Sequence, residues 1–464
     1  MIINNKDTIA AIATPAGNSG IGIIRISGDN AIETADKVIR SRSGKSLDLF
    51  SVNSHTVHYG YVYDDEKKEI LDEVLCTVYR TPRSYTSEDT VEINCHGGMF
   101  VLNRVLSLIL SKGIRLAEPG EFTRRAFLNG RIDLSQAESV MDLISSENEF
   151  SRSNSLSQLR GSIKETVTEI REIIIHETAF IEAALDDPEH YDIDDDHKRK
   201  LKEKINNILL SLSDILKNSD NVRFLKNGIN TVITGKPNVG KSSLLNMFAG
   251  YDRAIVTNVP GTTRDVITER VSVDEIILNI IDTAGIHESD DEVENIGIKK
   301  AEGEIERSDL VLFMTDASGN LDEEDIDILR KLNNKTCIAI LNKTDKGIVL
   351  NEHIIKDISD IPVIQMSIKE KTGINELKEK IKEFFIKEEI RNDEIYITNK
   401  RQEELFRKAY NSLMMVNNSI DDNMSEDVYT VDLMDAYFFL GEIIGEDISD
   451  DLADRIFSEF CMGK

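Results

Sequence analysis

The stretch Gly235-Lys236-Pro237-Asn238-Val239-Gly240-Lys241-Ser242-Ser243 constrains this chain more than any other. Its spacing is G-x-x-x-x-G-K-S, with a β-rich run, Ile229–Thr234, before it and a helical run, Leu244–Phe248, after it. Glycines at both ends let the backbone turn tightly, so successive N–H groups face phosphate oxygens. The helix that follows adds the positive end of its dipole. In that setting Lys241 reaches the β- and γ-phosphates, and the Ser242 hydroxyl ligates Mg2+.

Three further segments fall at the ends of apolar runs. Asn342-Lys343-Thr344-Asp345 closes the run Thr336–Leu341. An Asp there accepts both N–H groups of a guanine edge, whereas adenine offers the opposite pattern. Asp282-Thr283-Ala284-Gly285 closes Ile276–Ile281; its carboxylate suits the magnesium shell and the Gly285 N–H suits the γ-phosphate. Ser367-Ile368-Lys369 after Val363–Met366 is a second base-contact loop, and Thr262-Thr263 supply a switch hydroxyl. Ligands of open α/β sheets bind at the carboxyl ends of strands, so this order of motifs implies a guanine-nucleotide switch domain. Where such switches place a water-orienting Gln, this chain has Ile286. Glu294 offers a general base acting through a bridging water. Positive charge is available from Arg264, or from a monovalent cation held by the Asn238 amide and the carbonyls of Thr257–Thr262; spacing does not choose between them.

With 464 residues the chain should hold two to four domains. Its apolar runs fall well short of the about 18 residues of a membrane span. Residues 1–7 lack the long apolar region of a secretory signal. Cys76, Cys95, Cys337 and Cys461 lie far apart without a C-x-x-C, which fits reduced thiols and a cytoplasmic protein. A net charge of −29 opposes general binding along nucleic acid, so any RNA contact must be local or shared with a more basic partner.

Residues 1–118 read as α+β, with strands over Thr8–Ala13, Ile21–Ser27, Val57–Tyr63, Val74–Tyr79 and Thr90–Cys95 and a helix over Val101–Leu110. Residues 119–225 read as helical. One apolar stripe runs through Ile163, Val167, Ile170, Ile174, Ile181 and Leu185, and a second through Leu201, Ile205, Ile208, Leu212 and Ile215. Residues 226–388 alternate strands and helices, as a mostly parallel sheet requires. Residues 389–464 are helical again, with stripes Leu405/Ala409/Leu413/Val416, Leu433/Tyr437/Leu440/Ile444 and Leu452/Ile456/Phe460. The economical arrangement is an α+β domain, one all-α bundle, and an α/β P-loop domain inserted into that bundle. Arg25 and Glu92 sit inside apolar strands; each either meets a structural partner or solvent, or contacts a ligand. His96 has no second ligand at metal-binding spacing.

Three further signatures stand at Asp7-Thr8-Ile9-Ala10-Ala11-Ile12-Ala13-Thr14-Pro15, at residues 20–28, and at Pro119-Gly120-Glu121-Phe122-Thr123 through Asp133-Leu134-Ser135-Gln136-Ala137-Glu138. The loop around Lys241, the switch Thr257-Asn258-Val259-Pro260-Gly261-Thr262-Thr263 and the tail Cys461-Met462-Gly463-Lys464 complete the set. In these, nearly end to end, the chain resembles the MnmE (TrmE) family of tRNA-modifying GTPases. The resemblance implies an N-terminal domain that forms a homodimer and binds 5-formyl-tetrahydrofolate or a related one-carbon folate. Arg25, Glu92, Arg131 and Lys464 match the folate contacts, with Arg131 standing where many members carry Lys. It implies K+ held by Asn238, Thr257, Val259 and Thr262, Mg2+ held by Ser242 and Thr263, Glu294 as catalytic carboxylate and Cys461 as a cysteine used in modification. It implies a heterotetramer with the MnmG flavoprotein that places an aminomethyl-type group, such as carboxymethylaminomethyl, on C5 of wobble uridine in tRNA. Two other classes compete: a regulatory GTPase such as a ribosome-assembly factor, which the folate-like domain and the tail oppose, and a folate enzyme with a vestigial switch, which leaves the nucleotide motifs unexplained.

Overall fold

The computed structural model describes residues 7–187, 195–251, 267–273, 276–281, 303–332, 335–386, 394–446, 448–458, 460 and 463. The chain divides into two compact units. One comprises Met1–Met141, Ser157–Lys204 and Asn411–Lys464; the other comprises Asp142–Leu156 and Ile205–Tyr410.

The first unit opens with a seven-stranded sheet of β1 (Ile9–Ile12), β2 (Ile21–Ser27), β3 (Ile39–Arg40), β4 (Thr56–Asp64), β5 (Glu69–Tyr79), β6 (Thr90–His96) and β7 (Arg115–Leu116), in the order β3-β4-β5-β6-β2-β1-β7. Neighbours are antiparallel except β1 and β7. Alternation along β2 and β6 sends Ile24, Ile26, Val91 and Ile93 into one core with α1 (Ala31–Val38) and α2 (Met99–Leu110), and turns Arg25 and Glu92 to the other face. Helix α1 was not legible as a separate apolar run. Strand β5 begins five residues before the expected Val74, because the hairpin with β4 continues out to Asp64 opposite Glu69. That outer part carries Glu69, Asp72 and Glu73 and has no clean apolar alternation.

Helices α3 (Glu121–Leu128), α4 (Leu134–Ile144), α5 (Glu149–Leu159), α6 (Ser162–Asp186) and α7 (Asp195–Asn227) follow. In α6 the predicted stripe buries Ile163, Val167, Ile170, Ile174 and Ile181, but Leu185 is exposed in the last turn, one residue before the helix ends. The stripe of α7 is buried throughout. Helix α3 is fastened to the sheet by a cluster of charges spanning the expected boundary at 118–119. Arg115 Nε meets Asp7 Oδ2 at 2.9 Å and Arg115 Nη2 meets Glu121 Oε1 at 2.7 Å. Arg125 Nη2 meets Asp7 Oδ1 at 2.7 Å and Glu121 Oε1 at 2.9 Å, while its Nη1 reaches Glu88 at 3.2 Å. The Arg125 and Glu121 side chains are 3% and 2% exposed, so this pair is interior, while Arg115 and Asp7 are half-buried at its edge.

The second unit is built on a six-stranded sheet: β8 (Ile229–Thr234), β9 (Ile267–Val273), β10 (Ile276–Ile281), β11 (Leu310–Asp316), β12 (Cys337–Asn342) and β13 (Val363–Gln365), in the order β13-β12-β11-β8-β10-β9. All pairs are parallel except β10 with β9. Strands β10 and β12 are buried along their whole length and β11 up to its last residue, which is why they are apolar apart from Asn279 in β10 and the polar residues that end β11 and β12. Between them lie α8 (Lys241–Tyr251), α9 (Glu323–Lys331) and α10 (Glu352–Ile358), and α11 (Ile374–Phe385) follows β13. Asp322 and Asp325 form a capping box on α9.

The chain then returns through α12 (Lys400–Asp421), α13 (Glu426–Ile444) and α14 (Asp450–Ser458). Leu405, Ala409, Leu413, Val416, Leu433, Leu440 and Ile444 are buried as their spacing predicts. Arg171 of α6 reaches Glu446, just past α13, at 2.5 Å and lies 4.0 Å from the Tyr437 ring. In α14 the fully buried positions are Ala453 and Phe457, one residue on from the expected Leu452, which is 38% exposed, and Ile456, which is partly buried. Phe460, just past the helix, is buried as expected, and all but Leu452 pack with Ala126 and Phe127 of α3. Ser449 caps α14, accepting from the Leu452 N–H at 3.3 Å. No helix among the described residues is long and apolar enough to cross a membrane.

Candidate functional site: a phosphate loop and an arginine–aromatic cluster

The loop Gly235–Gly240 joins β8, in the interior of the second sheet, to α8. Both glycines are required by close approach. Gly235 has φ +134°, and a Cβ on it would overlap the Met314 carbonyl. Gly240 has φ +116°, and a Cβ on it would overlap the Asn342 amide. Asn238 takes a left-handed φ of +63°, a conformation Asn tolerates, and its side chain is exposed. The first helical bond runs from Leu244 N–H to the Gly240 carbonyl at 2.9 Å, so the N–H groups of residues 241–243 begin the helix without an i−4 partner inside it. Lys241 Nζ donates to the carbonyls of Gly235 and Lys236 at 2.5 and 2.8 Å, and burial lowers its pKa. Ser242 and Ser243 are exposed in the first turn, and Val239 is buried beneath the loop.

Asn342 ties this loop to the base-contact loops. Its Nδ2 donates to the Val239 carbonyl at 2.8 Å, and its Oδ1 accepts from the Ile368 N–H at 3.3 Å. Lys343 has a left-handed φ of +67° and reaches Asp316 Oδ2 at 2.8 Å. Thr344 N–H donates to Met366 O at 3.3 Å. Asp345 accepts from Ser367 Oγ at 2.8 Å and lies 3.7 Å from Lys369 Nζ; the Ser367 hydroxyl and the lysine hold its carboxyl below the usual range. All of the expected nucleotide-binding residues that can be described therefore meet at one end of one sheet. Thr257, Asn258, Val259, Pro260, Gly261, Thr262, Thr263, Arg264, Asp282, Thr283, Ala284, Gly285, Ile286 and Glu294 lie outside the described residues, as do Cys461 and Lys464. One contact was not foreseen: Lys236 pairs with Asp322 and, at 3.0 Å, with the buried Asp325, joining the loop to the capping box of α9.

In the first unit, Arg25 and Glu92 stand directly opposite each other on β2 and β6. Arg25 Nε donates to Glu92 Oε1 at 2.9 Å, so the two strand charges are partners of each other. Three aromatic residues surround them. The Tyr85 ring lies 4.9 Å from the Arg25 guanidinium and 5.0 Å from that of Arg131, and the Phe122 ring lies 5.5 Å from Arg25. Tyr79 donates to Glu92 at 3.4 Å; burial and then the Glu92 charge raise its pKa. Arg131 is exposed and donates to the Tyr85 carbonyl at 2.9 Å. Sequence reasoning missed Tyr79, Tyr85 and Phe122, because an aromatic at a strand end, in a loop or at a helix start reads first as packing.

His96 is oriented by Asp72 at 2.6 Å, which raises its pKa. Among the described residues no group of three or more His, Cys, Asp or Glu side chains is placed to hold a metal. Cys76, Cys95 and Cys337 are free and buried, and burial pushes each thiol up to about 12, the state of inert structural cysteines.

A glycine-bounded phosphate loop and an Asn-Lys-x-Asp loop at the carboxyl end of a parallel sheet define a P-loop GTPase domain. The family model described as the MnmE helical domain matches residues 134–461, and the one described as GTP-binding protein TrmE N-terminus matches residues 8–131. A relative named tRNA modification GTPase MnmE from Lachnoclostridium phytofermentans is 48% identical, covering 99% of both chains. One of the same name from Acetivibrio thermocellus is 46% identical, again over 99% of both. A solved structure of an Era variant from Aquifex aeolicus bound to GDP and AlF4− is 28% identical, covers 40% of this chain and 67% of that one, and has a TM-score of 0.29. The chain belongs to the MnmE family of tRNA modification GTPases.

Proposed function

We propose that this chain hydrolyses GTP to drive modification of wobble uridine in tRNA, as a cytoplasmic homodimer that joins the MnmG flavoprotein in a heterotetramer. The reading is carried by Asn342, whose amide joins the phosphate loop to the Ser367-Ile368-Lys369 loop. A single side chain thereby ties the triphosphate end of the site to the guanine end. Asp345 accepts the guanine N–H pair, and Lys241 turns from its own loop carbonyls to the β- and γ-phosphates. Ser242, exposed at the first turn of α8, fits a magnesium ligand together with Thr263. Asn238, exposed and left-handed, fits a K+ ligand together with Thr257, Val259 and Thr262. Both ions, when bound, supply positive charge along the phosphates. Glu294 orients the attacking water that Ile286 cannot.

At the Arg25 cluster we propose that the one-carbon folate binds. The exposed Arg131 meets its anionic tail, the Tyr85 ring faces its planar head, and Arg25 and Glu92 share their charge with its polar edge, with Lys464 as a further contact and Cys461 serving the modification step. Hydrolysis is expected to be faster in KCl than in NaCl, and equal rates would remove the K+ assignment. A deletion strain is expected to lose the C5 substituent from wobble uridine. Intact tRNA nucleosides by mass spectrometry would remove the tRNA assignment.

A further inference from the structure

Lys236 is the second residue of the phosphate loop, and its backbone and side chain face different partners. Its carbonyl accepts from Lys241 Nζ at 2.8 Å, beside the carbonyl of Gly235. Its ammonium pairs with Asp322 and, at 3.0 Å, with Asp325 Oδ2. The two carboxylates are not equivalent. The Asp322 side chain is 60% exposed, and a pair in that setting contributes little. The Asp325 side chain is 3% exposed. Its Oδ2 also accepts from the Asp322 N–H at 3.4 Å, and its Oδ1 is buried without a hydrogen-bond partner among the described residues. A buried carboxylate so short of hydrogen bonds depends on its counter-ion, and Lys236 is the cation that meets it. The entry of the loop is therefore fixed twice, by the close approach of Gly235 to Met314 on β11 and by the grip of α9 on Lys236.

We propose that Lys236 is a positioning residue for phosphate binding. Its ion pair with Asp325 holds the 235–236 peptide in place, and that peptide sets both the entry of the loop and the resting place of Lys241. The loop keeps its binding shape before phosphates arrive, so less ordering remains to be done on binding. Without the pair the loop must be re-formed around each ligand, and affinity falls for ligands that carry phosphates. A ligand with base and sugar alone meets the Asn342–Asp345 and Ser367–Lys369 loops and does not sense the strut. Plain charge makes the contrary forecast for Asp325, because removing a carboxylate near an anion site raises affinity for anions. This inference rests on the nucleotide reading of the loop.

The test uses two variants of the full-length protein. Lys236→Met keeps an unbranched stem without the charge, and Asp325→Asn keeps the shape and an oxygen that can accept the Asp322 N–H. Affinities for GDP and for guanosine are measured by displacement of a fluorescent guanine nucleotide. Lys236→Met is expected to weaken GDP binding by about tenfold and Asp325→Asn by about threefold or more, with guanosine unchanged within about twofold in both. Unchanged GDP affinity in Lys236→Met overturns the proposal. Asp325→Asn that binds GDP as tightly as wild type, or more tightly, overturns it in favour of a plain field effect. Equal losses for GDP and guanosine overturn it in favour of general damage to the fold. Wild-type protein that binds GDP no more tightly than guanosine overturns the phosphate-loop reading instead, a result distinct from the other three.

Discussion

The two proposed binding regions are constructed by different means. The nucleotide loops place ligand-facing groups through backbone conformation: left-handed residues at Asn238 and Lys343, glycines at 235 and 240, and one buried amide at Asn342. Each loop is a short contiguous segment at the end of a strand. The arginine cluster instead gathers Arg25, Tyr79, Tyr85, Glu92, Phe122 and Arg131 from strands, a loop and a helix, and holds them by ion pairing and ring faces. Backbone-built sites keep their pattern in consecutive residues. Side-chain-built sites on a sheet face are scattered through sequence, and they depend on the elements beneath them staying in register.

That dependence predicts the largest effect. Glu121→Ala leaves the buried Arg125 and the half-buried Arg115 without their shared carboxylate, and loss of the buried Arg125 pair is expected to cost about 3–5 kcal/mol of stability in thermal melting. The pH dependence follows with a definite sign. Burial raises the Asp7 and Glu121 pKa values, but the arginine partners outweigh it and hold both below the ordinary carboxylate range. Their contribution is complete above the unfolded values of about 4 and disappears as pH falls through the lowered folded values. Melting temperature should therefore drop below about pH 4 in the wild type and drop less in Glu121→Gln. A Glu121→Ala protein as stable as wild type would remove the contrast, since the side-chain-built region would then not rest on this cluster.

The nucleotide region should respond in rate rather than in fold. Lys241→Ala removes the cation that faces the phosphates and is expected to lower the rate of GTP hydrolysis by about 10²–10³-fold, with little change in melting temperature. Asn342→Ala is milder. It leaves the Val239 carbonyl and the Ile368 N–H without this partner, at about 1–3 kcal/mol, or roughly 5- to 150-fold in nucleotide affinity. An unaltered affinity would mean that the two loops keep their geometry without the bridge.

The same contrast sets how much was legible in the sequence. The ends of β8, β10 and β12 were readable to within a residue, because buried parallel strands are rich in β-branched and apolar residues and stop at the glycine- and charge-bearing loops. The α6 and α7 stripes were readable from their period, but the buried face of α14 was not. Ala453 adds little to an apolar pattern, yet it packs, and Leu452 adds much yet is exposed. The pairing of Arg25 with Glu92 needed strand register, which no local pattern encodes. Tyr85 needed the path of the loop between β5 and β6, and the cluster of Asp7, Arg115, Glu121 and Arg125 joins residues more than a hundred positions apart.

Tyr85 gives the smallest and sharpest test of the side-chain-built region. Its ring lies about midway in distance between two guanidiniums, at 4.9 and 5.0 Å, and its hydroxyl pairs with Thr123 Oγ1 at 2.8 Å. Tyr85→Leu removes the ring face but keeps an apolar side chain, so it should lose only the cation–π part, about 0.5–1 kcal/mol per exposed contact. Tyr85→Phe keeps the ring and loses only the bond to Thr123. If the ring face orders the two arginines for a ligand, folate affinity should fall a few-fold in Tyr85→Leu and stay near wild type in Tyr85→Phe. The opposite ranking would assign the role to the hydroxyl, making Tyr85 a strut to α3 rather than part of the binding surface.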